Sequence, residues 1–287
     1  MNKSVFARQL TQKIGYGLLT LLTLLTVLPI LYIIGRILLQ GAPAALSWEF
    51  LFTFPRDGMK AGGIWPAIVG TIYLTLGTAL FSVPLGLGAA IYLSEYAPNN
   101  RWTRLIRLAI INLAGIPSVV YGLFGLGLFV LFLKLGVSIL AGSLTLSIMT
   151  LPVIISTAEE ALRAVPQAFR VVSISLGATK WQTIRRIVLP QALPGILTGV
   201  ILGLERAAGE TAPILFTAAS FFLPRLPGSP LDATMALPYH LFVISTQVPG
   251  MPLRIQFGTA LVLLVFVLSM NLAATVIRSR ARAARQW

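Results

Sequence analysis

Residues 165–190, VPQAFRVVSISLGATKWQTIRRIVLP, interrupt a chain that is otherwise almost continuous apolar sequence. Pro166 suits the first turn of a helix, where its missing N–H is a donor without an intrahelical partner in any case. Phe169, Val172 and Leu176 follow at i, i+3 and i+7 and form one apolar stripe, with Arg170 and Ser173 between them. Gly177 stands where helices commonly end in a left-handed residue, and Ala178 follows it. Thr179 and Gln182 have the spacing of a capping box, so a second helix is expected to start there. Trp181, Ile184 and Val188 make its apolar stripe, Lys180, Arg185 and Arg186 its polar face, and Pro190 its expected end. The expectation is two short amphipathic helices around a glycine corner, lying on a surface rather than crossing a membrane.

The flanking sequence says which surface. Of the 287 residues, 56% are hydrophobic and only 10% charged. A soluble domain carries about 25% charged residues, so the chain reads as an all-α integral membrane protein. A net charge of +14, from 22 Lys and Arg against 8 Asp and Glu, would suggest nucleic acid for a soluble chain. Here the positive-inside rule accounts for it, and no nucleic-acid partner is expected. With no cysteine there are no disulfides or thiolate metal sites, and the one histidine cannot form a metal cluster alone.

Crossing a bilayer as a helix takes about 20 apolar residues. Six segments qualify: residues 14–39, 64–93, 105–133, 135–158, 191–222 and 257–277. Lys3, Arg8 and Lys13 precede an apolar run too long for a cleaved signal, so the first span is expected to stay. Pro29, Pro84, Pro117, Pro152 and Pro213 mark expected kinks. The chain divides into residues 1–63 (tail, first span and outer interfacial segment), a core of residues 64–277 with the loop at 159–190, and a basic tail at 278–287.

Orientation follows from the basic residues between spans. One set is Lys3, Arg8, Lys13, Arg101, Arg104, Arg107, Arg163, Arg170, Lys180, Arg185, Arg186, Arg278, Arg280, Arg282 and Arg285. The other is Arg36, Arg56, Lys60, Lys134, Arg225 and Arg254. The first set outnumbers the second more than two to one, which places both termini and the 165–190 loop in the cytoplasm. On the other side, Trp48, Phe50, Phe52, Phe54 and Trp65 suit a membrane interface. Residues 232–247 read as a short helix capped by Asp232, and His240 as a solvent-side residue.

Charge inside a span is costly, at least about 2.5–3.5 kcal/mol per group, and such groups face a bundle interior or an aqueous cavity. The fifth span contains GLERAAGETAPILF. Arg206 and Glu210 are i, i+4 and can meet, whereas Glu205 points elsewhere. Gly209 would let a neighbouring helix approach closely, and Pro213 frees a backbone carbonyl one turn back. Either Arg206 presents a positive charge to a crossing anion, with Glu210 and Thr211 positioning it, or the ion pair only orders the bundle.

Two resemblances follow from these residues. Gly177, nine residues, then Ile187, Val188, Leu189 and Pro190 match the spacing G-x9-I-x-L-P of the cytoplasmic loop of ABC importer permeases. The opening EAA triplet of that pattern is replaced by Val171, Val172 and Ser173. The segment RAAGETAP is similar to the signature R-A-x-G-E-T-A-P of phosphate-importer permeases, the PstA family, and the similarity extends over residues 62–277. The resemblance implies a six-helix type I importer permease (MetI-like) fold in the bacterial inner membrane. It further implies pairing with a homologous second permease (PstC), an ATPase dimer (PstB) holding ATP and Mg, and a phosphate-binding protein (PstS). In that family the loop forms a coupling helix seated in a groove of the ATPase. Permeases for phosphonate, sulfate or molybdate are the nearest alternative, an anion channel or membrane scaffold a more distant one.

Catalysis within the chain is not expected. The sequence has no GxxxxGK[ST] for cradling nucleotide phosphates and no HExxH. Glu159 and Glu160 are expected to pair with Arg163 at the membrane interface.

Overall fold

The computed structural model describes residues 3–283 and is built almost entirely from helices. Helix α1 (Lys3–Ala45) leads into a short α2 (Trp48–Phe52) and a two-residue hairpin, β1 (Pro55–Arg56) with β2 (Ala61–Gly62). Helix α3 (Trp65–Ile91) ends in a π-helical turn, Tyr92–Tyr96. Then come α4 (Arg101–Ala114), α5 (Ser118–Gly125) with a second π-helical stretch, Leu126–Phe132, and α6 (Ile139–Arg163). The loop holds α7 (Gln167–Ser175) and α8 (Lys180–Thr183), and a third π turn, Ile184–Val188, runs into α9 (Leu189–Gly209). Helices α10 (Ala212–Thr217), α11 (Leu237–Thr246) and α12 (Leu253–Ala283) complete the chain.

Small residues set the packing. In lipid there is no hydrophobic drive between helices, so close backbone approach has to supply the contact. Gly77 and Gly86 of α3 lie against Ser143 and Ile154 of α6, and Ser147 Oγ donates to the Thr78 carbonyl at 3.1 Å. Increasing number on one helix meets increasing number on the other, so α3 and α6 are parallel. Gly195, Gly199 and Gly203 of α9 meet Ala161, Thr157 and Ile154 in the opposite order, so α9 is antiparallel to α6. Gly41 and Ala44 near the end of α1 meet Leu261 and Gly258 near the start of α12.

This arrangement decides how the third span works. Residues 105–133 were expected as one helix, but α4 and α5 meet at a bend of 101° at Gly115–Ile116–Pro117. Pro117 has no N–H to continue α4 and disfavours helical backbone at Ile116. Because α3 and α6 are parallel, the chain between them has to return across the bundle, so the bent pair is one crossing. With the five long apolar helices it makes six among the described residues.

Other expectations are corrected. Pro190 does not end the second loop helix; it sits in the first turn of α9, in a helix continuous from Lys180 to Gly209. The preceding π turn bonds Leu189 N–H to Ile184 rather than in α-helical register, which absorbs the break a proline imposes. The fifth span is therefore displaced from residues 191–222, stops at Gly209 and resumes as α10. Pro29, Pro84 and Pro152 lie inside α1, α3 and α6 without breaking them. Helix α11 is capped by Ala236, not Asp232, whose carboxylate instead accepts from the N–H groups of Gly228 and Ser229. His240 is not at the solvent side: it is 2% exposed, with Nδ1 buried and unpartnered. A ten-residue helix cannot span a bilayer, and α11 is held inward by Leu237 N–H donating to Thr71 Oγ1 at 2.8 Å.

Candidate functional site

The loop has two faces. Val165 and Val188, near its two ends, are buried in one apolar cluster with Ala158, Leu162, Ala192 and Ile196, so its base is anchored among α6 and α9. Gly177 adopts φ +87°, the left-handed corner, and the Thr179–Gln182 capping box forms in both directions. Ser173 Oγ and Thr183 Oγ1 are 2.8 Å apart across the corner, and Ala178 N–H donates to the Ser173 carbonyl. These bonds join α7 to α8 in a fixed angle.

The outer face is apolar and uncovered. Phe169, Val172 and Leu176 are exposed, Leu176 by 83%, and Trp181 of α8 is exposed as well. Between α7 and α8, Phe169, Val172 and Leu176 border a groove of about 530 Å³ lined also by Ser173, Ala178, Gln182 and Arg186. The expected second stripe splits here, since Ile184 and Val188 turn inward while Trp181 does not.

The inner face is ionic. Arg170 Nη2 lies 2.6 Å from Glu95 Oε1 in the turn that ends α3, with side chains 11% and 7% exposed. Arg107 Nε reaches Glu159 Oε1 at 2.8 Å while its Nη2 donates to the Leu93 carbonyl at 2.7 Å. Arg163 also pairs with Glu159, at 2.7 Å, as the sequence suggested, whereas Glu160 is exposed and does not join the pair. Glu95 went unnoticed in the sequence. Its signal is a single acid at the polar end of a long apolar helix, facing a loop rich in arginine.

The second candidate cluster lies where α9 breaks. Glu210 leaves the helix with φ −78° and ψ 133°, and Thr211 heads the next one, its carbonyl accepting from Leu215 N–H at 3.1 Å. Arg206 Nε lies 3.3 Å from Glu210 Oε1, with side chains 38% and 18% exposed. Arg206 thus sits on an open surface of this chain rather than sealed in its core. Glu205 points away, as expected, and accepts from Asn271 of α12 at 3.2 Å. Gly209 does not serve close packing: a Cβ there would meet nothing within 4 Å. The glycines that do are those one to four turns earlier on α9.

Comparison with known proteins agrees with this architecture. Residues 82–283 match the family described as "binding-protein-dependent transport system inner membrane component". A probable ABC transporter permease protein, YqgI, of Bacillus subtilis (strain 168) is 34% identical over 281 residues, 93% of this chain and 95% of the relative. The phosphate transport system permease protein PstA 1 of Mycobacterium tuberculosis (strain ATCC 25618 / H37Rv) is 38% identical over 219 residues, 76% of this chain and 70% of the relative. In structure, a chain of the inward-facing MetNI methionine ABC transporter superposes with a TM-score of 0.61 at 18% identity, over 76% of this chain and 97% of that one. The chain therefore belongs to the family of inner membrane components of binding-protein-dependent transport systems, as an ABC importer permease of the MetI-like fold.

Proposed function

We propose that this permease imports inorganic phosphate, coupled to ATP hydrolysis in a separate subunit. The observation that carries the reading is the RAAGETAP segment, where Arg206 stands on an open surface at the break of a membrane-spanning helix, held by one hydrogen bond to Glu210. A guanidinium matches two phosphate oxygens with forked donors. Relatives named as phosphate transport permeases support the substrate.

In this reading a homologous second permease (PstC) covers the Arg206 surface and encloses the pathway, with lipid around the pair. The apolar face of Phe169, Val172, Leu176 and Trp181 docks on the ATPase dimer (PstB), which holds ATP and Mg. An outer phosphate-binding protein (PstS) delivers the anion. Both termini and the loop are cytoplasmic, in a bacterial inner membrane, and the chain itself catalyses nothing. Closure of the ATPase moves the loop, opens the pathway outward, and hydrolysis returns it inward.

The test is ATP-dependent uptake by the reconstituted complex, comparing phosphate, arsenate, sulfate and molybdate. Phosphate and arsenate are expected to be carried; preference for sulfate or molybdate overturns the substrate assignment.

A further inference from the structure

The docking loop is tied to the spans through one guanidinium. Arg170 on α7 donates from Nη2 to Glu95 Oε1 at 2.6 Å and from Nε to Glu95 Oε2 at 3.2 Å. It also donates from Nη1 to the Val165 carbonyl at 2.7 Å and from Nη2 to the Leu162 carbonyl at 2.8 Å. Glu95 belongs to the end of α3, Leu162 to the last turn of α6, and Val165 follows it. Three of these four donations fasten α7 to the ends of two parallel helices that run the width of the bundle, and the fourth holds the connection between α6 and α7.

The loop's own shape does not need this fastening. The Ser173–Thr183 contact and the bond from Ala178 N–H to the Ser173 carbonyl already join α7 to α8. What the Arg170–Glu95 pair adds is a link from α7 to α3, beside the bond from Arg170 to the Leu162 carbonyl of α6. A forked, charge-assisted pair is short and directional, and separating it leaves a buried charge without a partner. Helix α7 cannot slide past those ends without breaking it.

We propose that the Arg170–Glu95 pair is a strut that transmits displacement of α7 to α3, so that Glu95 is a positioning residue for transport. The proposal rests on the reading that the apolar face of α7 docks on an ATPase. Its loss is expected to separate hydrolysis from uptake rather than to remove either partner.

The experiment uses the complete reconstituted transporter and reads three quantities: ATPase subunit retained, ATP hydrolysed, and phosphate taken up. Glu95→Gln keeps the side-chain shape and removes the charge. It is expected to retain the ATPase and hydrolyse ATP, with uptake per ATP reduced about ten-fold, the range of a typical coupling free energy. Arg170→Lys, which keeps the charge without the fork, is expected to lie between it and the parent. If Glu95→Gln does not accumulate, Glu95→Asp, with its charge kept and its reach shortened, is judged on the same ratio. Parental uptake per ATP, or equal loss of uptake and hydrolysis, overturns the strut. Leu176→Asp tests docking separately: it is expected to shed the ATPase, and a variant that retains ATPase and uptake overturns the docking reading itself.

Discussion

Arg206 engages Glu210 through a single hydrogen bond of 3.3 Å from Nε, and its side chain is 38% exposed. A pair this open is held weakly, because exposed ion pairs contribute only about 0–1 kcal/mol. Its Nη groups are accordingly available to an arriving anion. Arg206→Gln is expected to reduce uptake roughly ten- to hundred-fold, the value of one lost hydrogen bond to a charged group, while the complex assembles and hydrolyses ATP. Arg206→Lys should transport weakly, and Glu210→Gln should hold phosphate longer by removing its competitor. Full uptake in a double variant with apolar residues at both positions would sink the substrate role. His240 makes a different prediction, since burial alone pushes its pKa from 6.5 down to about 4. Between those values the unfolded chain takes up a proton that the folded chain refuses, so stability rises with pH. Above pH 6.5 His240 is neutral in both states, and as pH falls toward 4 the proton bound only by the unfolded chain removes up to about 3 kcal/mol of stability. The melting temperature of the purified subunit should fall from pH 7 to 5, and His240→Gln should flatten that slope. An unchanged slope would refute the assignment.

At the scale of elements, the loop's corner depends on Gly177 at φ +87°, where no atom would obstruct a Cβ. The cost of a side chain there is conformational: Gly177→Val should strain the corner by roughly 1–2 kcal/mol and alter the angle between α7 and α8. The subunit should still insert, but uptake should fail or uncouple from hydrolysis; normal uptake would count against the loop as coupling element. The corner, the capping box and the stripe of Phe169, Val172 and Leu176 were legible because each depends on residues within one or two turns. Pro190 misled for the opposite reason. A proline normally stops a helix, but here a π turn from Ile184 to Val188 changes the register ahead of it. Glu95 and Arg170 lie far apart in sequence, and only the parallel packing of α3 and α6 brings their ends to one place. The surroundings of His240 were hidden likewise, because α11 folds back against α3 through Thr71 rather than remaining in an outer loop.

For the whole molecule, the direction of each helix fixes which parts share a side. Parallel α3 and α6 end together, bound through Arg170 and Arg107, and antiparallel α9 begins there. Their opposite ends gather with residues 217–235, where Ile139 N–H donates to the Asp232 carbonyl and Gly70 abuts Met235. The start of α12 meets the end of α1 near Gly41, so the far ends of both return to the loop's side. The charge count agrees with this division, although the side chains of Lys3, Arg8, Arg278, Arg280 and Arg282, and the whole of Arg285, lie outside the described residues. Asn99 and Ser229 are both exposed and fall on opposite sides of the division. The chain has no cysteine, so Asn99→Cys and Ser229→Cys each introduce one reactive thiol. In intact cells an impermeant maleimide should label Ser229→Cys and reach Asn99→Cys only after the membrane is opened. Labelling of both from one side would mean that the bent pair α4–α5 does not cross, because removing that crossing is what would bring the two positions together.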